Sequence, residues 1–407
     1  VAKLKIAYFT VQAPYGPGEA FIITEMLGLK AQKDVELWIA PLRPQKQIRH
    51  HAAEELVEQT LKVPLFNLKV LLGALKALFL QPRQSLLAVW KVIRHSRPGV
   101  LLKNLVVVPK SLYLGRVLRE KGVQHIHAHW ASTPSTCAYI ASLVSGIPWS
   151  FTAHRWDIAE NNMLKEKVRS AHFVRVISQD GREEMQRLTG QCADKIKVIH
   201  MGVKVSRIIS ITTKKGRVKT IVCIANLVEK KGHRYLLEAC ALLKSWGIKF
   251  RCILVGDGPL RAHLQRRIQS LGLEAEVEMR GAVAHEEVLH ILRDEADVMV
   301  LPSIVTEQGE REGIPVTLME AMAYGVPVVS TRTGGIPELL SNGAGVLVEE
   351  KNPRQLAEVL RKILKDERWA KSVATEGYRK VYHEYNSEIN LHILIKEIKS
   401  TLHQREE

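Results

Sequence analysis

Two glutamates, Glu312 and Glu320, bracket the start of an apolar helical run, and Pro315 lies between them. Proline suits the first turn of a helix, where its missing N–H leaves no bond unmade. The spacing predicts Glu312 just ahead of the helix and Glu320 inside it. The amides of Gly313 and Ile314 would then point out of the N-terminus and form an anion site suited to a pyrophosphate. Glu312 at the rim could accept hydrogen bonds from sugar hydroxyls, and Glu320, more than one turn deeper, two from a ribose diol. The plainer alternative is a capping acid followed by a solvated helix residue. Against it, residues 318–329 are nearly all apolar, and a carboxylate embedded there needs a partner.

Other positions carry residue types suited to the same class of ligand. Lys231, in the strand-to-helix turn 228–232, can point a flexible charge at phosphate. His154 follows the strand-like run 149–153 and is expected at the ligand-facing end of its sheet. Gly16 and Gly18 let the backbone approach a ligand closely, although a plain tight turn explains them as well. His127 and His129 are two apart at a strand end, so they share a face, with Ala128 on the other. No further ligands accompany them, and no metal site is expected. Arg280, Gly281, Ala282 and Val283 close another strand-like run, and the backbone of Ala282 and Val283 is expected beside a nucleotide base. Cys137, Cys192, Cys223, Cys240 and Cys252 never form a C-x-x-C pair, which reads as buried thiols in a reducing compartment.

The 407 residues that must position these groups suit two domains rather than one. Strand-like runs at 4–10, 35–40, 122–128, 148–153 and 173–177 alternate with helical patterns. The stretch 208–219 reads as a linker. A second series then places strands at 218–225, 249–256, 276–281, 298–302, 326–330 and 345–348, with helices such as 233–246 and 259–271 between them. This alternation predicts two Rossmann-like α/β domains, each with a parallel sheet covered on both faces. The first is expected over residues 1–205 and the second over 216–385, facing each other across a cleft lined by the loops that follow the strands. A last helical stretch, about 386–407, is expected to pack back on the first domain.

The net charge of +17 is lopsided: residues 1–200 hold 28 Lys/Arg against 15 Asp/Glu. The extreme is 61–122, where twelve Lys/Arg meet one acid, Glu120. Within 61–80, Phe66, Leu71, Leu72, Leu75 and Phe79 are interleaved with Lys62, Lys69 and Lys76, and 84–94 and 100–118 continue the pattern. Such helices suit an anionic membrane surface; core helices with a basic solvent face are the alternative. Interleaving with Leu and Val rather than exposed aromatics argues against single-stranded nucleic acid. No stretch reaches about 18 apolar residues without charge, so no span is expected, and the opening residues read as a strand rather than a signal peptide.

The Glu312-x7-Glu320 pair is followed by Ala321, Met322, Ala323, Tyr324, Gly325, Val326 and Pro327, then Thr333, Gly334, Gly335, Ile336, Pro337 and Glu338. This resembles the signature of family-4 retaining glycosyltransferases of GT-B architecture. The runs 7–10, 16–21, 127–132 and 151–157 are similar to the branch that builds colanic-acid-like exopolysaccharides. The resemblance implies that Glu320 binds the nucleotide ribose and that Glu312 contacts the transferred sugar. It gives Lys231 the leaving diphosphate, places His154 beside the donor sugar and phosphate, and puts Gly16 and Gly18 near the diphosphate and acceptor. The family usually has an arginine five residues before that lysine; here the position is Asn226, which supplies no charge, and Arg261 is a candidate substitute. The reaction implied is hexose transfer from a UDP- or GDP-sugar to a hydroxyl with retention of configuration, by front-face displacement and without a metal or other cofactor. A lipid-linked or polysaccharide acceptor and a cytoplasmic, peripheral place at the inner face of the membrane follow from resemblance and composition together. The alternatives are a membrane-associated scaffold that has lost catalysis and a nucleotide-sugar epimerase.

Overall fold

Successive side chains of each central strand enter two different cores. In Leu4–Thr10, Ala7 and Phe9 join one core while Ile6 and Tyr8 join another. In Thr220–Ile224, Ile221 and Cys223 are likewise separated from Val222 and Ile224. Burial on both faces is what a parallel sheet between two helix layers requires. The computed structural model describes residues 3–16, 19–45, 47–48, 51–190, 193–206 and 218–403. The described residues divide into two compact units, one within Val1–His200 and Asn390–Glu407 and the other within Met201–Ile389.

The first unit opens with β1 (Leu4–Thr10), α1 (Ala20–Ala31) and β2 (Val35–Pro41). A helical insertion follows: α2 (Leu68–Leu80), α3 (Pro82–His95) and α4 (Pro98–Glu120). Then come β3 (His125–His129), α5 (Thr133–Ser145), β4 (Trp149–Ala153), α6 (Arg155–Glu160) and α7 (Leu164–Ser170). The unit closes with β5 (Val174–Val176), α8 (Gln179–Thr189) and β6 (Ile196–Val198). Its parallel sheet has the order β2-β1-β3-β4-β5-β6. Strand β6 has no counterpart in the sequence reading, because three residues with Lys197 in the middle are too short to show a period.

The second unit runs β7 (Thr220–Ile224), α9 (His233–Ser245), β8 (Arg251–Val255), α10 (Arg261–Ser270), β9 (Val277–Gly281) and α11 (His285–His290). It continues with β10 (Val298–Leu301), α12 (Val316–Ala323), β11 (Val328–Thr331), α13 (Ile336–Leu339) and β12 (Val346–Val348). Helices α14 (Pro353–Lys365), α15 (Glu367–Glu384) and α16 (Ser387–His403) complete the chain. The second parallel sheet has the order β12-β11-β10-β7-β8-β9. Most of the stretch read as a linker, and Cys192 and Gly18, lie outside the described residues. The other four cysteines are buried thiols. From Asn390 onward α16 belongs to the first unit, where Leu391, Leu394 and Ile398 share a core with Tyr8 and Ile22.

Helices α2 and α3 turn the usual amphipathic pattern around. The buried face of α2 is Val70, Gly73, Ala74 and Ala77, and that of α3 is Ser85, Ala88 and Val92. The large side chains, Leu68, Leu72, Leu75, Phe79, Leu86 and Trp90 among them, are exposed. Small residues let α2 lie close on α4: a Cβ at Gly73 would strike the Tyr113 ring. An ordinary core helix would bury the leucines and expose the rest. Among the described residues, no helix is long and apolar enough to cross a membrane.

Candidate functional site

In the second sheet the strand order reverses at β7, which has β8 on one side and β10 on the other. Ligands of open α/β sheets bind beyond the carboxyl ends of the strands at such a point. The loops leaving β7, β10 and β11 hold the expected groups there. Lys231 ends a single 3₁₀ turn, Glu229–Lys231. The amide of Ile304, just past β10, donates to the Lys230 carbonyl at 2.9 Å and pins that turn. Gly232 adopts φ 68°, and a Cβ on it would strike the Pro302 carbonyl oxygen. Glu312 is 7% exposed, and its Oε1 lies 2.8 Å from Lys231 Nζ. Gly334, in the loop after β11, packs on the Glu312 carbonyl with φ 57°, again leaving no room for a Cβ.

The helix that follows begins later than its sequence implies. Pro315 is the N-cap of α12, with extended backbone, rather than a first-turn residue. The helical amides without an intrahelical acceptor are therefore those of Val316, Thr317 and Leu318, while Gly313 and Ile314 precede the helix. The Gly313 carbonyl instead accepts from the Gly335 amide at 3.2 Å. Glu320 has the partner its apolar setting requires: its Oε1 is 2.7 Å from His285 Nε2. His285 opens α11 two residues after Val283, so the loop of Ala282 and Val283 and the Glu320 carboxylate meet at one place. Asn226 is exposed in the turn after β7. The Arg261 guanidinium lies 3.6 Å from the Asp257 carboxylate, so its charge is already answered in part.

Several buried polar atoms around Lys231 and Glu312 have no hydrogen-bond partner among the described residues. They are Ser303 Oγ beyond β10, Thr333 Oγ1 beyond β11 and both ring nitrogens of His233, beside Lys231. Glu312 Oε1 meets Lys231 by distance but outside hydrogen-bond geometry. Buried polar groups are ordinarily satisfied, so such a concentration marks a ligand position more readily than a packed core. Burial, with Lys231 adding to it, pushes the His233 imidazole down to about 4.

The first sheet reverses its order between β1 and β3, and a second polar constellation lies there. His154 is the N-cap of α6, immediately after β4. Its Nε2 is 2.8 Å from His129 Nε2, and its ring lies 4.4 Å from that of Trp130. Trp130 holds φ 87°, a strained value for a residue with a Cβ. Its indole Nε1 donates to Glu19 at 2.6 Å, and Glu19 also accepts from the amides of Val11, Gln12 and Ala13. The Asp157 carboxylate accepts from the amides of Ala131 and His154, both at 2.7 Å, which ties the two loops together. Gly16 is buried against the Gln12 side chain. His127 and His129 share a face, while Ala128 joins the opposite core. Sequence reasoning missed His285, Glu19, Trp130 and Asp157; Glu19, Trp130 and Asp157 stand in runs that carry the resemblance, but nothing in their spacing indicates a role.

Among the described residues, only Glu287, His290 and Glu295 cluster closely enough to share a cation. Arg280 already engages both Glu295 oxygens, at 2.6 and 2.7 Å, so the group needs no ion.

The sequence pattern of "Glycosyl transferases group 1" matches residues 205–380, and that of "Glycosyltransferase Family 4" matches residues 50–207. A putative colanic acid biosynthesis glycosyltransferase, WcaL of Salmonella typhimurium, is 34% identical over 314 residues, covering 74% of this chain and 76% of the relative. The chain belongs to the family-4 glycosyltransferases. This glycosyltransferase is related to enzymes of exopolysaccharide biosynthesis; the amylovoran biosynthesis glycosyltransferase AmsK of Erwinia amylovora is 38% identical over 48% of the chain and 49% of its own length. Its fold is GT-B. A glycosyltransferase of Rickettsia africae superposes with a TM-score of 0.69 at 18% identity, covering 99% of each chain. HepE of Anabaena, solved in complex with UDP, gives 0.68 at 18% identity, covering 98% of this glycosyltransferase and 100% of HepE.

Proposed function

We propose that this glycosyltransferase moves a hexose from a UDP- or GDP-sugar to a hydroxyl of a lipid-linked or polysaccharide acceptor, with retention of configuration. The second unit binds the donor and the first serves the acceptor. The observation that carries the reading is the pairing of Lys231 with Glu312 at the strand-order reversal, ringed by Ser303, Thr333 and His233 atoms that have no partner among the described residues. A diphosphate would take Lys231 as its cation and the amides of Val316, Thr317 and Leu318 as donors. Glu312 is then released to accept from sugar hydroxyls, and Glu320 to share the ribose with His285. The UDP held by HepE, a protein of the same fold, supports the nucleotide assignment.

In the proposed reaction the acceptor oxygen attacks the anomeric carbon on the face from which the diphosphate leaves. The departing diphosphate oxygen takes the acceptor proton. Lys231 and the start of α12 stabilise the charge that grows on that oxygen, which is electrostatic preorganisation. Thermal unfolding in UDP, GDP and their sugars tests donor binding, since ligand at a hundredfold excess over Kd stabilises by about 2.7 kcal/mol. NMR of the product anomer tests the stereochemistry. No stabilisation by any nucleoside diphosphate, or an inverted anomer, would overturn the reading.

The exposed apolar residues of α2 and α3 support a second part of the proposal: the first unit docks on an anionic membrane at its cytoplasmic face. Leu72, Leu75, Phe79 and Trp90 offer apolar surface, and Lys69, Lys76, Arg83 and Arg94 are exposed on the same helices. Neither helix contains an acidic residue. Each basic residue near such a surface contributes about 1 kcal/mol. A lipid-linked acceptor would be met at this surface.

A further inference from the structure

The His154 ring is the end of a buried chain of hydrogen bonds that crosses the first unit. His154 Nε2 faces His129 Nε2 at 2.8 Å, and His129 Nδ1 faces the Tyr8 hydroxyl at 2.7 Å. That hydroxyl meets Glu25 Oε1 at 2.5 Å, and Glu25 Oε2 meets Arg175 Nη1 at 2.5 Å. Arg175 is anchored in turn, through Nε and Nη2, on the carbonyls of Ile199 and His200 at 2.8 and 2.9 Å.

The chemistry of the groups gives the chain a single direction. A guanidinium only donates, so Glu25 is the carboxylate that accepts from it. Burial alone would raise the Glu25 carboxyl, yet Arg175 and the Tyr8 hydroxyl hold it below its ordinary value. Burial, reinforced by Glu25, keeps the Tyr8 phenol protonated. A phenol has one proton, and a carboxylate at 2.5 Å can only accept it, so Tyr8 donates to Glu25 and must accept from His129. His129 therefore carries its proton on Nδ1. Its Nε2 is then an acceptor, and His154 must donate to it from Nε2. The neighbouring groups fit this order. Asp157 holds the His154 amide, the Trp130 ring lies against the imidazole, and His127 bonds instead to Ser150 and Thr152.

We infer that Tyr8, Glu25 and His129 are positioning residues that fix His154 in the Nε2–H tautomer, with Nδ1 as its acceptor nitrogen. A ring so fixed has its Nε2 proton held by His129, and its side chain accepts from the Asp157 amide in the capping box of α6, so it does not act as a general acid. Its bearing on transfer rests on the proposed function, with His154 beside the donor sugar as the family resemblance implies.

Two-bond ¹H–¹⁵N spectra of the full chain labelled at histidine read the tautomer directly, with His154 identified by its loss in His154→Gln. The expected result is a protonated Nε2 and an unprotonated Nδ1 on His154 in the free protein. In Tyr8→Phe the acceptor for His129 Nδ1–H is gone, so His129 turns to its Nε2–H form and the two His154 nitrogen shifts exchange. Tyr8→Phe removes only the hydroxyl and keeps the ring in the core, so the variant isolates that step. An Nδ1–H form of His154 in the unaltered protein overturns the inference, and so do unmoved His154 shifts in a folded Tyr8→Phe variant. Adding a nucleotide sugar separates the two claims: the expected tautomer with no response to any donor would leave the relay standing and remove His154 from the donor site.

Discussion

Lys231 and Glu312 meet at 2.8 Å, although eighty positions of sequence separate them and each looks ordinary in its own loop. The pair satisfies two charges that would be costly to bury alone, and it also stores the cation that a diphosphate would recruit. Lys231→Ala is expected to slow transfer by a factor on the order of 10² to 10³, the usual cost of losing a group that stabilises transition-state charge. The same variant leaves Glu312 buried without its cation, so steady-state kinetics should be read with a thermal unfolding control. Glu320→Ala is expected to act differently, weakening nucleotide binding with little change in the rate at saturating donor. Unchanged donor affinity in that variant, measured by calorimetric titration, would contradict the ribose role. The amides at the helix start show how a local rule misleads. Pro315 fits a first-turn position by composition, but its extended backbone makes it the cap, so the free helical amides are those of Val316, Thr317 and Leu318.

Elements decide which of these residues can be held still. The turn carrying Lys231 passes so close to β10 that Gly232 cannot be replaced without moving it. Gly232→Ala should therefore cost roughly 1–3 kcal/mol of stability, for a Cβ at positive φ and a clash with backbone, and should also weaken nucleotide binding. Equal donor affinity in a folded Gly232→Ala protein would show that the turn does not position Lys231. Helix α2 makes the opposite point, since Leu68, Leu72, Leu75 and Phe79 are exposed and hold nothing in the fold. The double substitution Leu72→Ser with Phe79→Ser should leave thermal unfolding nearly unchanged, because both side chains are exposed. It should abolish flotation with vesicles containing anionic lipid. Flotation of the unaltered protein that is insensitive to salt would remove the electrostatic part of the membrane reading. The basic, apolar composition of 61–122 was legible in the sequence, but which face of each helix turns inward was not. Gly73, Ala74 and Ala77 pack on α4 because small residues allow a close approach, a choice made by the neighbour rather than by periodicity.

At the scale of the whole molecule, the first unit concentrates neutral, buried histidines. Burial is the main cause that holds His127 and His154 down to about 3 and keeps His125 and His129 well below their ordinary value. The unfolded chain protonates histidine near pH 6.5, whereas the native unit does not, so protons are taken up on unfolding. Stability is fully present above pH 6.5 and is lost as pH falls toward 3, by about 1.4 kcal/mol per pH unit for each such histidine. The first unit should thus unfold at milder acidity than the second, where His233 is the one histidine pushed down among the described residues. Thermal scans between pH 7.5 and pH 4.5 check this, and a melting temperature that does not move across that range would contradict it. The alternation of apolar strands and helices, and the short motifs around Lys231, Glu312 and His154, were set by sequence alone, because period and local composition are properties of neighbours along the chain. The tertiary structure decided the rest: the Lys231–Glu312 contact, the His285 partner of Glu320, and the direction of the hydrogen bonds that end on His154. Each joins groups far apart in sequence, whose pairing follows from strand order and burial and leaves no pattern that a linear reading could detect.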